Sequence, residues 1–252
     1  KTQGIKYAGS KMKIIPYILE SIKDLQIQTV LDGFSGTTRV SQAFAQAGYD
    51  VTSNDLADWS EVFARCYLLP KKEPSYYQKI IDELNSLEGY DGWFTENYGG
   101  DGSISTKMPF QKKNTRKLDA IRDRIDELSL NETDRAVILA SLILALDAVD
   151  STLGHFVSYL SKWSQRSYND LFLKLPLFIS TSGKHSVSKQ DIFNVVDDAF
   201  YDLAYFDPPY GSNNEKMPPS RVRYASYYHI WTSVIRNDKP ELFGKVNRRE
   251  DS

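Results

Sequence analysis

The stretch between residues 29 and 55 constrains the fold most. Thr29-Val30-Leu31 is a short apolar run that meets Asp32-Gly33 and a segment rich in Gly, Ser and Thr. It reads as a buried strand running into a tight loop. Val40 to Ala47 follows as a predicted helix, with Val40, Phe44 and Ala47 on one face, and Gly48 stands where a helix-ending glycine belongs. Tyr49 to Ser53 is then a second strand, ending at Asn54-Asp55. Strand, helix and strand in so short a span make a βαβ unit, and this unit requires a parallel sheet. Ligands of such a sheet bind beyond the carboxyl ends of its strands, near the point where strand order reverses.

The middle of the chain has a different rhythm. Glu61 to Leu69 predicts a helix ended by Pro70, and Tyr77, Ile80, Ile81 and Leu84 repeat at helical spacing within 76–87. Residues 89–114, rich in Gly, Asn, Ser and aromatics, read as an irregular loop. Lys117 to Leu128 is a charged helix with Leu118, Ile121, Ile125 and Leu128 on one face. Asn131-Glu132-Thr133-Asp134 looks like an N-cap before Val137 to Val149, which is apolar nearly all round. Strands return at Ser186 to Gln190 and at Leu203-Ala204-Tyr205-Phe206. The expected organisation is therefore a sheet domain from residues 1–60 and 176–252, interrupted by a helical insertion over 61–175.

Composition narrows the function. The chain has 252 residues, with 31 Lys+Arg against 33 Asp+Glu, so a surface coated in positive charge is excluded while a local basic patch is not. The single cysteine, Cys66, excludes an internal disulfide framework and a cysteine-built zinc site, and fits a reducing, cytoplasmic setting. His155 and His185 lack partners at metal-ligand spacing, so no metal is expected. His229 reads as a packing or hydrogen-bonding residue and Cys66 as a buried thiol. No apolar run reaches the roughly 18 residues needed to span a bilayer, so no membrane partner is expected. The chain starts at Lys1 rather than Met and closes on Arg248-Arg249-Glu250-Asp251-Ser252, which reads like the middle of a loop.

Four loops follow strand candidates: Asp32 to Arg39, Asn54-Asp55, Gln190 to Phe193, and Asp207 to Tyr210. The first has glycines where backbone must approach a ligand, but it is not G-x-G-x-x-G, and a plain tight turn is equally compatible. Asp55 stands where an acid commonly accepts from two ribose hydroxyls; the other reading is a cap for a helix starting near Trp59. Asp207-Pro208-Pro209-Tyr210 offers a carboxylate, backbone acceptors without competing proline N–H groups, and an aromatic face. That suits a flat ring carrying an amino group, although a proline turn after a strand would look the same.

In order along the chain, these segments resemble the Dam-type adenine-specific DNA methyltransferases, the alpha group of S-adenosylmethionine-dependent amino-methyltransferases. Tyr7-Ala8-Gly9-Ser10-Lys11 is similar to the N-terminal cofactor motif. Phe34-Ser35-Gly36-Thr37-Thr38, after Asp32, is similar to the F-x-G-x-G methionine loop, with Thr38 in place of the second glycine. Asp55 matches the ribose acid. Asp191-Ile192-Phe193 resembles the Asp-Phe element that holds the cofactor's adenine, with Ile192 intervening. Asp207, Pro208, Pro209 and Tyr210 match the catalytic motif. The resemblance implies a Rossmann-like class I methyltransferase sheet, α/β in class, with the helical insertion as its target-recognition region. Family members continue with further sheet strands after the catalytic motif. None is visible between Gly211 and Ser252, so a fragment lacking its C-terminal strands is expected, of unsettled activity.

The implied reaction moves a methyl group from S-adenosylmethionine to the exocyclic amine of an adenine flipped out of double-stranded DNA. The implied partners are that DNA and a cognate restriction endonuclease encoded nearby. Lys107, Lys112, Lys113, Arg116 and Lys117, with Arg122 and Arg124, form a candidate phosphate-contacting patch; a solvated helix face is the plain alternative. Arg221 and Arg223, after the catalytic motif, form a second. Two other readings remain open: a ribosomal RNA adenine methyltransferase and an inactive DNA-binding fragment. A protein-glutamine methyltransferase is disfavoured, because Asn usually stands at the place of Asp207 in those enzymes.

Overall fold

The computed structural model describes residues 1–69, 71–101, 108–209 and 223–252. In chain order its elements begin with α1 (Ile15–Ile22), β1 (Thr29–Asp32), α2 (Arg39–Gln46), β2 (Asp50–Asn54), α3 (Asp58–Leu68), α4 (Pro74–Ser86), α5 (Trp93–Tyr98), β3 (Gly99–Gly100) and β4 (Phe110–Gln111). They continue with α6 (Lys112–Glu127), α7 (Glu132–Val149), a short 3-10 helix (Gln165–Tyr168), β5 (Ser186–Ser188), α8 (Ile192–Asp198), β6 (Leu203–Tyr205), α9 (Tyr224–Tyr227), α10 (His229–Arg236), β7 (Leu242–Phe243) and β8 (Arg248–Arg249). The chain divides into two compact units, Lys1–Lys71 with Pro176–Val222, and Lys72–Leu175 with Arg223–Ser252.

The first unit is built on a parallel sheet with strand order β5-β2-β1-β6. Thr29 to Asp32 pairs in register with Asp50 to Ser53, and Val30 to Asp32 with Leu203 to Tyr205. Val30 and Leu31, on the inner strand β1, are both fully buried. Val30, Val40, Phe44, Val51, Ala64 and Leu68 form the core beneath β1 and β2. Since β2 lies on one side of β1 and β6 on the other, the order reverses between β1 and β6, and the crevice at their carboxyl ends is the expected ligand position.

The second unit is helical. In α7 nearly every residue from Ala136 to Leu146 is buried, as its all-round apolar pattern requires. Asn131 Oδ1 accepts from the Asp134 N–H at 2.8 Å, which realises the expected cap. Four differences from the sequence reading stand out. The expected loop over 89–114 contains α5, and α6 starts at Lys112 rather than Lys117. Asp119, distant in sequence, accepts from the N–H groups of Gly92, Phe94 and Thr95 and from the Thr95 hydroxyl, so α5 takes its cap from another helix. The helical unit begins at Lys72 rather than 61, and it includes Arg223–Ser252, which the sequence reading assigned to the sheet domain. Finally, the C-terminal stretch holds a short antiparallel pair, β7 with β8. Arg249 holds that stretch together, pairing with Asp238 at 2.6 Å and with Asp251 at 2.8 Å. No helix among the described residues is long and apolar enough to cross a membrane.

Candidate active site

The loop after β1 is held from below and from both sides. Ser35 N–H donates to the Asn54 carbonyl at 2.9 Å and Thr38 N–H to the Ser35 carbonyl at 2.6 Å. Gly36 adopts φ +52°, and a Cβ there would lie 3.1 Å from Cε1 of Tyr7. The N-terminal segment, turned at Gly9 (φ +79°), thus lays the Tyr7 ring directly against the glycine. Thr38 also sits in the left-handed region at φ 60°, where a family glycine would be unstrained. Its hydroxyl donates to the Thr37 carbonyl at 2.7 Å and accepts from Gln42 Nε2 at 3.1 Å, contacts that offset part of that strain. Thr37 and Thr38 are both buried.

Gly33 explains how three loops converge. A Cβ at this position would fall 2.6 Å from Cδ1 of Phe206 and 2.8 Å from Cδ1 of Ile192. The loop after β1, the start of α8 and the residue preceding Asp207 therefore meet over one bare backbone. Phe34 and Phe206 add an edge-to-face contact at 6.3 Å. Asn54, buried at the end of β2, ties the group together. Its Nδ2 donates to the carbonyls of Gly33 and Gln190, and its Oδ1 accepts from Gln190 N–H. Asn54, Ile192's packing role and Phe206 carry more of the architecture than the motif pattern suggested. The available signal for Asn54 was a polar residue at the carboxyl end of an otherwise apolar strand.

Three carboxylates stand at this end of the sheet. Asp32 is 1% exposed, and its Oδ2 accepts from the Ser41 hydroxyl at 2.6 Å, while Ser41 also bonds Ser53 at 3.0 Å. Among the described residues Asp32 Oδ1 has no hydrogen-bond partner. Burial pushes the Asp32 carboxyl up to about 7, and the charges of Asp55 and Asp207 push the same way. Asp55 Oδ2 accepts from Gly36 N–H at 2.8 Å and its Oδ1 from Ala57 N–H at 3.0 Å. Burial raises Asp55 as well, against those backbone donors. Asp55 therefore stitches the β1 loop to the entry of α3, and the helix itself is capped at Ala57 without a side-chain bond. Asp207 forms a 2.5 Å ion pair with Lys11, whose ammonium also donates to the Gly9 carbonyl. Lys11, expected at the cofactor, is thus attached to the Asp207 carboxylate.

Other expected site residues fall as follows. Ala8 lies within the turn closed by Ser10 N–H on the Tyr7 carbonyl. Asp191 caps α8 through Phe193 N–H at 3.0 Å, Ile192 points at Gly33, and Phe193 is exposed. The inserted Ile192 thus makes the packing contact in that element. Pro208 and Pro209 are exposed beside Asp207. Tyr210, Lys107 and Arg221 lie outside the described residues. Of the remaining basic residues, Lys112 and Arg116 both pair with Asp91, Lys113 with Asp170, and Arg124 with Glu83 and Glu127. Lys117 donates to the carbonyls of Asn85 and Leu87, and Arg122 is buried against the Val234 and Ile235 carbonyls. Arg223 is exposed at the start of α9. His229 is buried between Tyr98 and Phe156 and pushed down to about 4 by that burial, as a packing residue would be. Cys66 is a buried thiol pushed up to about 12.

The family model for D12 class N6 adenine-specific DNA methyltransferases matches residues 7–252. The modification methylase LlaI of Lactococcus lactis subsp. lactis is 31% identical over 97% of the chain and 40% of its own length. The modification methylase StsI of Streptococcus sanguinis is 30% identical over 95% of the chain and 37% of its own length. The type II methyltransferase M.NlaIII of Neisseria lactamica is 26% identical over 98% of the chain and 74% of its own length. The chain thus spans about two fifths of the first two relatives. With its parallel sheet and the Asp207-Pro208-Pro209 loop at the strand-order reversal, the chain belongs to the D12 class N6 adenine-specific DNA methyltransferase family.

Proposed function

We propose that the protein transfers a methyl group from S-adenosylmethionine to the exocyclic amine of an adenine in duplex DNA. The observation that carries this reading is the position of Asp207-Pro208-Pro209, which directly follows β6 at the reversal of strand order and is joined to the β1 loop through Phe206 on Gly33. The cofactor fits the residues present. Asp32 keeps a buried carboxylate oxygen without a hydrogen-bond partner among the described residues, and Asp32, Asp55 and Asp207 make an acidic surround suited to a cationic ligand with hydroxyls. Tyr7, Phe34, Ser35, Gly36, Thr37 and Thr38 would hold it, with Asp55 on its hydroxyls. When bound, S-adenosylmethionine supplies an electrophilic methyl group.

The chain's own task is to prepare the amine. The lone pair of an adenine amine is delocalised into the ring. A hydrogen bond from the amine to the Asp207 carboxylate and another to the Pro208 carbonyl would favour a tetrahedral nitrogen and localise that pair. The Lys11 ion pair fixes the orientation of the carboxylate. Tyr210 is assigned to stacking on the ring. The helical unit is assigned to target recognition and a restriction endonuclease to the role of partner, because the relatives are named as modification methylases. The description of the family, adenine-specific DNA methyltransferases, favours DNA over RNA as substrate. The test is transfer of labelled methyl groups to duplex DNA and to RNA. N6-methyladenine in the duplex is expected; label in RNA alone, or on cytosine, contradicts the proposal.

A further inference from the structure

Asn54 is 1% exposed at the carboxyl end of β2, and both its amide hydrogens and its amide oxygen are used. Nδ2 donates to the Gly33 carbonyl at 3.2 Å and to the Gln190 carbonyl at 3.1 Å, and Oδ1 accepts from Gln190 N–H at 3.2 Å. Turning the amide over would set Nδ2 against an N–H and Oδ1 against two carbonyls, so one orientation alone satisfies the three bonds. The main-chain carbonyl of Asn54 accepts from Ser35 N–H at 2.9 Å. One residue therefore holds the loop after β1 at two points and the turn before α8 at two points.

The side-chain chemistry is specific. Asp has no donor and would face two carbonyl oxygens, Ser and Thr have one donor, and Ala has none. The brace matters because β5 is a short edge strand. Its ladder with β2 runs from Ser186 to Ser188 against Thr52 to Asn54, and past Ser188 the Asn54 side chain bonds the turn into α8 to β2. On the other side Gly33 N–H donates to the Tyr205 carbonyl at 3.0 Å, two residues before Asp207. A line of bonds thus crosses the strand ends from Gln190 through Asn54 and Gly33 to Tyr205.

Resemblance to the family gives these two loops opposite ends of S-adenosylmethionine. The loop after β1 takes the methionine arm, and Asp191-Ile192-Phe193 takes the adenine. We propose that Asn54 is a positioning residue that couples the two ends of the cofactor site, so that a ligand seated at Asp191 to Phe193 orders the β1 loop for the methionine arm. This rests on the cofactor reading above. Asp55, the ribose residue in that reading, also bonds the loop through Gly36 N–H, and the test leaves it unaltered.

The test compares S-adenosylhomocysteine with 5′-methylthioadenosine, which lacks the amino-acid arm. Calorimetry on the unaltered chain, Asn54→Asp and Asn54→Ser gives the ratio of the two affinities, which measures what the arm adds. In both variants that ratio should fall at least about fivefold, the size of a modest coupling between sites. A merely structural role lowers both affinities alike, so a ratio within about twofold of the parent overturns the proposal. Hydrogen exchange gives a second reading that needs no variant. On the unaltered chain 5′-methylthioadenosine should slow exchange at Ser35 as well as at Gln190; unchanged exchange at Ser35 overturns the proposal too. If the unaltered chain binds neither S-adenosylhomocysteine nor S-adenosylmethionine, the cofactor reading itself fails, and the coupling with it.

Discussion

Asp32 and Gly33 are adjacent and do opposite things. One is a carboxyl buried without full hydrogen bonding, and the other is a bare backbone on which three loops converge. Asp32 has its carboxyl raised to about 7 when folded, against the ordinary value of 3.8 when unfolded. The folded state therefore holds the extra proton between those values, and stability falls as pH rises from about 4 to about 7. Above that window the penalty is constant. The slope is at most one proton, about 1.4 kcal/mol per pH unit. Asp32→Asn should flatten that slope in chemical denaturation measured across pH 4–7; an unchanged slope would show that Asp32 ionises normally. At Gly33 the geometry predicts that Gly33→Ala displaces Phe206 and Ile192, and with them the Asp207 loop. S-adenosylmethionine affinity by calorimetry should drop at least tenfold. Affinity within twofold of the parent would mean that the loops are not coupled there. Asp32 and Gly33 were legible from the sequence because they follow an apolar strand. Their neighbours Asn54 and Phe206 were not, because their roles depend on contacts between strands far apart in the chain.

At the scale of elements, local rules held where the element carries its own signals. The βαβ unit from β1 to β2 follows from apolar runs, a helical stripe and Gly48, and it formed within a residue or two of expectation. α7 is capped by Asn131 as its sequence indicated. α5 lacked such signals because its cap is Asp119 on α6. Asp119→Ala leaves buried N–H groups of α5 without acceptors and should cost roughly 2–4 kcal/mol. A loss below about 0.5 kcal/mol in denaturant unfolding would contradict that account. In the β1 loop, Gly36→Ala meets both the left-handed φ and the Tyr7 ring. It should cost about 1–2 kcal/mol and loosen the N-terminal segment, seen as faster amide exchange around Tyr7. Unchanged exchange would separate the two segments. Thr38 shows that the left-handed conformation can persist without glycine when the side chain finds bonds inside the loop.

For the whole molecule, charge is the clearest lesson. A run of cations between Lys112 and Arg124 reads as a nucleic-acid surface in a linear sequence. In the fold, most of those cations meet acids or carbonyls from other segments, and Asp91 alone takes Lys112 and Arg116. Replacing Lys112 and Arg116 together by Ala should therefore reduce the salt slope of DNA binding by clearly less than the about 1.8 expected for two full phosphate contacts. A reduction that large would make this helix face a DNA surface after all. The division into units was likewise only half visible. The interruption of the sheet shows in the change of periodicity, but the return of Arg223–Ser252 to the helical unit depends on contacts such as Arg122 with the Val234 and Ile235 carbonyls.

The most direct test of the account is Asp207→Ala, measured both for S-adenosylmethionine affinity and for methyl transfer to adenine in duplex DNA. Affinity within a few-fold of the parent, with turnover below about a tenth, is the expected result, since the motif is held to supply more than about 1.4 kcal/mol to the transition state. Turnover above a tenth of the parent would contradict the assignment of this loop to the chemistry.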